Sequence, residues 1–250
     1  MQWHVVISIL VLSYVLIIGL LHILFPEKHL NWNQINTDDL NFPETFTWGV
    51  ATASHQIEGN NVNNWTQFEE RENKEPSGSA CDHWNLWQQD HNLLVELGVD
   101  SYRFSIEWSR IEPNEGDWNE DAIKVYSDMI DSLIDQGIEP MITLHHFSHP
   151  IWFEEKGGFY VEENITYFAD YCNRIFPYFA DRVKKWCTVN EPDVFSIMGY
   201  HMGMFPPGQR SPLKAIRVMK NVMIAHGEVY HRLKTIAPNS YIGLAKNVTI

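Results

Sequence analysis

Residues 5–25 form a run of 21 positions without Asp, Glu, Lys or Arg, with His22 as its one imidazole. As a helix, such a run is about 30 Å long, the thickness of a bilayer's hydrocarbon core. Its flanks do not fit a cleaved signal. Residues 1–4 carry no Lys or Arg, and Phe25-Pro26-Glu27-Lys28 offers no small-residue cleavage pattern. The run therefore reads as a retained single-pass membrane anchor over residues 1–26, with Trp3 suited to the interface. Flanking charge is too sparse to fix its orientation or compartment. Residues 27–41, rich in Asn, Asp and Gln, read as a tether to the domain that follows.

From residue 42 onward, strand-like and helix-like stretches alternate. Residues 46–53 predict a strand. Trp84, Trp87, Leu94 and Leu97 then mark one helical face that stops at Gly98. Residues 101–106 predict the next strand. Ala122, Val125, Tyr126, Met129, Ile130 and Leu133 recur at helical spacing and stop at Gly137. A compact apolar strand over 140–144 follows. The face Phe168, Tyr171, Cys172, Ile175 and Phe179 makes a helix that Pro177 is expected to kink or break. Residues 185–189 predict a strand closed by Asn190-Glu191-Pro192. Ser211-Pro212 is an N-cap and first-turn pair for a helix through about residue 233, and 241–245 predict a fifth strand.

Such alternation implies an α/β fold, a parallel sheet with crossover helices. A closed (β/α)8 TIM barrel is favoured over an open doubly wound sheet. No Gly-rich phosphate loop follows the first strand, and the polar candidates sit at the ends of several different strands. About five of the eight units fit into residues 42–250, so that stretch reads as the N-terminal part of a barrel. Apolar content of 44% is ordinary for a globular chain, and a net charge of −14 argues against a nucleic-acid partner. The three cysteines, Cys81, Cys172 and Cys187, are too scattered for a disulfide framework or a zinc site. Ten tryptophans supply flat faces that suit either a core or a sugar ring.

The strand ends carry the candidate chemistry. Glu191 stands where a buried strand stops, held by the scaffold and left open by the loop, and reads as a catalytic acid/base acting on a sugar. The plain alternative is a carboxylate that solvates a strand end. Asn190 beside it suits a sugar 2-hydroxyl. Gln56, after the first strand, offers donors and an acceptor to neighbouring hydroxyls, or simply to water. Strand alternation puts Arg103 on the barrel's inner face, where a guanidinium calls for a carboxylate partner; otherwise it reaches solvent at the strand end. His145, His146 and His149 offer three further readings: metal ligands, sugar hydrogen bonding, or packing. Adjacent His145 and His146 diverge on an extended chain, which disfavours metal.

Several stretches occur together in order: Phe46-Thr47-Trp48-Gly49-Val50-Ala51-Thr52-Ala53 with Gln56-Ile57-Glu58-Gly59; Tyr102-Arg103-Phe104-Ser105-Ile106-Glu107-Trp108-Ser109-Arg110-Ile111; Thr143-Leu144-His145-His146; Lys156-Gly157-Gly158-Phe159; Thr188-Val189-Asn190-Glu191-Pro192; and Pro206-Pro207-Gly208. With them, the chain from about residue 42 resembles the first half of a family 1 glycoside hydrolase, the β-glucosidase and β-glycosidase group. The resemblance implies a retaining enzyme, without cofactor or metal, that acts on terminal β-linked glucose or galactose of a small β-glycoside or glycolipid. It implies that Glu191 is the acid/base and that Asn190 holds the 2-hydroxyl. It further implies that Gln56 and His146 hold the 3- and 4-hydroxyl side, and that Arg103 supports the nucleophilic carboxylate. Phe147 stands where many members carry Trp, and His55 where many carry Tyr.

The family's nucleophile lies in a Thr-Glu-Asn-Gly stretch near the seventh strand. No Glu-Asn-Gly occurs in these 250 residues; Glu163-Asn164 is followed by Ile165. The 250-residue chain alone is therefore expected to be inactive. Two other readings stand beside hydrolysis: a membrane-anchored glycosyl-transferring relative acting on glycolipids, and a non-catalytic sugar-binding remnant. Asn64-Trp65-Thr66, Asn164-Ile165-Thr166 and Asn247-Val248-Thr249 match the N-glycosylation pattern, which matters only in a secretory lumen.

Overall fold

The computed structural model describes residues 2–26, 36 and 41–248, in two units, Met1–Phe46 and Thr47–Ile250. The first contains the helix Gln2–Leu24, in which Val6–Leu24 is long and apolar enough to cross a membrane. A signal sequence would meet the same test of length and composition. The expected tether over 27–41 lies outside the described residues, apart from Asn36 and Asn41.

The second unit is a parallel sheet in the order β1 (Gly49–Ala51), β2 (Ser101–Ser105), β3 (Glu139–His145), β4 (Lys185–Asn190), β5 (Tyr241–Ala245). Four long helices cross between successive strands: His83–Leu97, Glu120–Asp135, Ile165–Phe179 and Pro212–Ile236. These are five consecutive units of a (β/α) barrel. Only Gly49–Ala51 of the expected strand 46–53 enters the ladder, because among the described residues β1 has a neighbour on one side only. Pro177 does not break its helix, which runs on to Phe179. In a last turn, a missing N–H costs a single bond.

Helix starts and stops follow local chemistry. Asn119 Oδ1 accepts from Ala122 N at 3.0 Å and so caps Glu120–Asp135. Gly98 and Gly137 end the first two crossovers in the left-handed region that favours glycine. The core lies between sheet and helices. Tyr102, Phe104, Ile142, Leu144 and Trp186 from the strands meet Tyr126, Met129, Ile130 and Leu133 from one helix, and Phe168, Ile175, Phe176 and Phe179 from the next. Trp186 and Phe176 rings lie 4.6 Å apart, and Trp108 stacks on Tyr171 at 4.8 Å. All are nearly or wholly buried, so this layer supplies most of the burial that closes the fold.

Two of the glycosylation patterns serve the fold instead. Asn64 Nδ2 donates to Phe147 O at 3.1 Å, and Asn164 Nδ2 donates to Lys156 O and Gly158 O. Both side chains are buried, so a folded chain cannot present them to a modifying enzyme. The third pattern ends on Thr249, outside the described residues.

Glu58, after β1, is also buried. Tyr126 Oη donates to its Oε1 at 2.7 Å and Arg110 Nε to its Oε2 at 2.8 Å, with the guanidinium 4.1 Å from the centre of the Trp84 ring. Burial still pushes the carboxyl up to about 7, outweighing the guanidinium beside it. A carboxyl whose pKa is raised on folding binds its proton more tightly in the native state. Its contribution is therefore full below pH 4.5 and is lost as pH rises through 7, about 3 kcal/mol in all. Glu58→Gln removes that titration. Urea unfolding from pH 4.5 to pH 8 should show the variant gaining about 3 kcal/mol on the wild type as pH rises; a pH-independent difference would contradict the assignment.

Candidate active site

Glu191 directly follows β4 at φ 42°, ψ 68°, a left-handed conformation that costs a residue with a side chain about 1 kcal/mol or more. Two backbone bonds hold it there. Glu191 N donates to Ala245 O of β5 at 2.8 Å, and Glu191 O accepts from Phe195 N at 3.0 Å in the turn Pro192–Ser196. The turn away from the strand leaves the carboxylate partly exposed at the C-terminal end of the sheet.

Asn190, one residue earlier, is buried and reaches Arg103 through a change of register. Cys187 pairs with Gly243 and Asn190 with Ala245, three residues of β4 against two of β5, which is a bulge. Bulges re-aim side chains, and here regular alternation fails just where Asn190 turns toward β2. Arg103 Nη2 donates to Asn190 Oδ1 at 3.0 Å, while Asn190 Nδ2 lies 3.4 Å from Glu191 Oε2. Arg103 thus points inward, as expected, but the group it meets is an amide. Among the described residues no carboxylate comes within salt-bridge distance of it, and its Nε is buried without a partner.

Gln56 and His146 line one cleft of about 380 Å³ together with Ala53, His55, Trp65 and Phe147. Gln56 is exposed on a single helical turn, Ser54–Ile57. His146 follows the end of β3, and its Nδ1 is buried and unpaired, so Nε2 is the nitrogen open to the cleft. Burial pushes this imidazole down to about 4, and the Arg103 charge acts in the same direction. A neutral imidazole can donate or accept, which is what a hydroxyl-rich ligand needs. The other two histidines turn into the wall. His145 Nε2 sits 3.3 Å from His149 Nδ1, and His149 Nε2 sits 2.7 Å from Glu154 Oε2.

Trp65 and Glu69, given no role from the sequence, shape this cleft beside Phe147 and His55. Phe147 adopts φ 72°, and its carbonyl accepts from Asn64 Nδ2 and from Trp65 Nε1 at 3.0 Å. Trp65 also stacks on His55, whose Nε2 lies 3.3 Å from Glu69 Oε1. One local signal for the Trp65 helix was present. Asn63 and Thr66 form a reciprocal cap, with Asn63 Oδ1 accepting from Trp65 N and Thr66 N, and Thr66 Oγ1 accepting from Asn63 N. If His146 is held neutral by its surroundings, its NMR titration should centre near pH 4 and Arg103→Met should raise it. A midpoint near 6.5 would contradict the burial argument.

Comparison with known proteins places this geometry. The model of glycosyl hydrolase family 1 matches residues 38–250. Beta-glucosidase A of Thermotoga maritima is 38% identical over 217 residues, 82% of this chain and 49% of that protein. A beta-glycosidase from Pyrococcus horikoshii superposes with a TM-score of 0.78 at 43% identity, covering 84% of this chain and 49% of that one. The beta-glucosidase from Thermotoga maritima in complex with glucoimidazole gives a TM-score of 0.80 at 38% identity, covering 83% and 50%. The chain spans about half the length of the curated relatives it matches.

Proposed function

The chain belongs to glycosyl hydrolase family 1, and we propose that it carries the acid/base half of the active site of a retaining β-glycosidase. The observation that carries this reading is Arg103: a guanidinium turned into the barrel, tied on one side to the amide next to Glu191, with no carboxylate among the described residues on the other. Inside a barrel that vacancy calls for an anion. A retaining glycosidase has one to offer, a nucleophilic carboxylate about 5–5.5 Å from the acid/base. We place that nucleophile outside residues 1–250.

In this reading the nucleophile attacks the anomeric carbon of a terminal β-linked glucose or galactose. The glycosidic C–O bond breaks, and Glu191 gives its proton to the departing oxygen. Glu191, now a carboxylate, then takes a proton from the water that attacks the same carbon and releases the nucleophile. Asn190 holds the 2-hydroxyl, where hydrogen bonds strengthen in the oxocarbenium-like transition state. Gln56 and neutral His146 grip the 3- and 4-hydroxyl side, and Arg103 steadies the nucleophile's charge. The helix Gln2–Leu24 serves as a retained anchor and residues 27–41 as its tether. The relatives quoted above are glucosidases and a glycosidase by name, which lends no support to a glycosyl-transferring or remnant reading.

The test has two arms. The 250-residue chain by itself should release no nitrophenol from nitrophenyl β-glucoside. A form extended through the missing barrel units should release it, and there Glu191→Gln should slow cleavage of a poor leaving group by about 10²–10⁴-fold. A dinitrophenyl β-glucoside, whose leaving oxygen needs no proton, should lose far less in the first step. Turnover by the short chain, or equal losses for both leaving groups, would overturn the reading.

A further inference from the structure

The backbone ladder gives out before it reaches the sugar-facing residues. β1 and β2 last pair at Ala51 and Arg103, and β2 and β3 at Ser105 and Thr143. Gln56 and His146 lie beyond those points, on two different loops, yet they face one cleft. A pair of groups that must grip one small ring needs its separation fixed by something other than strand pairing.

Glu107, just past the end of β2, is wholly buried and sits between the two loops. Its Oε2 accepts from Ser54 Oγ at 2.8 Å and from Ser148 Oγ at 2.7 Å, and its Oε1 accepts from Ser109 Oγ at 2.7 Å. Ser54 stands two residues before Gln56, and Ser148 two residues after His146. A single carboxylate oxygen therefore bridges the β1 loop to the β3 loop. The β1 side is doubled, because Ser105 Oγ accepts from Ser54 N at 2.7 Å and donates to Ser54 Oγ at 2.9 Å. Glu107 is itself anchored from the helix layer, where its backbone N donates to Tyr126 Oη at 2.9 Å. We propose that Glu107 is a positioning residue for sugar recognition, setting the spacing of Gln56 and His146 through Ser54 and Ser148.

This inference rests on the assignment of Gln56 and His146 as sugar-binding groups, and its test is separate from that of Glu191. The full chain, in detergent, is titrated with glucoimidazole while tryptophan emission is followed, Trp65 lining the cleft. Ser54→Ala combined with Ser148→Ala cuts both ties to Glu107 and leaves Gln56 and His146 themselves unsubstituted. Glu107→Leu removes the acceptors, whereas Glu107→Gln keeps one carbonyl oxygen where Ser54 and Ser148 donate.

The serine double variant and Glu107→Leu should bind about ten- to a hundredfold more weakly, with Glu107→Gln close to wild type. A second readout separates spacing from mere stability. In the wild type, the effects of Gln56→Ala and His146→Ala on binding should be coupled, because both groups hold one ring; in the serine double variant they should become additive. Should Glu107→Leu fail to fold, the serine and glutamine variants carry the comparison. Wild-type affinity in the serine double variant, undiminished coupling there, or a wild-type chain that does not bind glucoimidazole would each overturn the proposal. None of these bears on whether Glu191 protonates a leaving group, which is read from aryl glycoside cleavage.

Discussion

A guanidinium turned into the interior of a barrel has to be compensated there, and Arg103 sets that condition for the whole mouth of the sheet. Its Nη2 is satisfied by the Asn190 amide, its Nε by nothing among the described residues, and its charge adds to the burial that holds the nearby His146 imidazole neutral. Each of those facts bears on a residue proposed to meet the sugar. In the proposed reading this is half of a charge pair, and the acid/base assignment of Glu191 draws on the half that reading places elsewhere.

Around that charge, the scaffold spends conformational strain and buried polar bonds to hold loops that strand pairing does not reach. Glu191 and Phe147 both carry side chains in the left-handed region, and each is held by bonds from another element: Ala245 O for the first, Asn64 and Trp65 for the second. The Glu107 carboxylate does the same for the loops bearing Gln56 and His146. Strain at these two positions, with rigid support behind it, suits groups that must stay in place while a ring is bound.

Much of this was legible in the sequence, for physical reasons that also explain the gaps. Helical periodicity and Gly98 and Gly137 as stops gave the crossovers, since a face that must be buried repeats at a fixed spacing. Alternation in 101–106 turned Arg103 inward correctly. Alternation could not place Asn190, because a bulge in β4 breaks the period that such reading relies on. The carboxylate expected beside Arg103 is not found among the described residues, where the Asn190 amide is its side-chain partner. Strand 46–53 shrank to three paired residues, since pairing depends on neighbours as well as on pattern. Ser54, Glu107 and Ser148 lie on three separate loops, and no spacing in one dimension announces that they converge. Asn64 and Asn164 read as modification patterns until their amides were found inside.

The most direct measurement is covalent trapping of the glycosyl-enzyme. A 2-fluoro-glucosyl fluoride slows both steps at the anomeric carbon but keeps a good leaving group, so an active form extended through the full barrel should accumulate an ester at its nucleophile. Peptide mass spectrometry then reads which carboxylate carries the sugar. The account predicts a label on a carboxylate outside residues 1–250, none on Glu191, and slower trapping in Arg103→Met. A sugar ester on Glu191, or on any other carboxylate of residues 1–250, would contradict it.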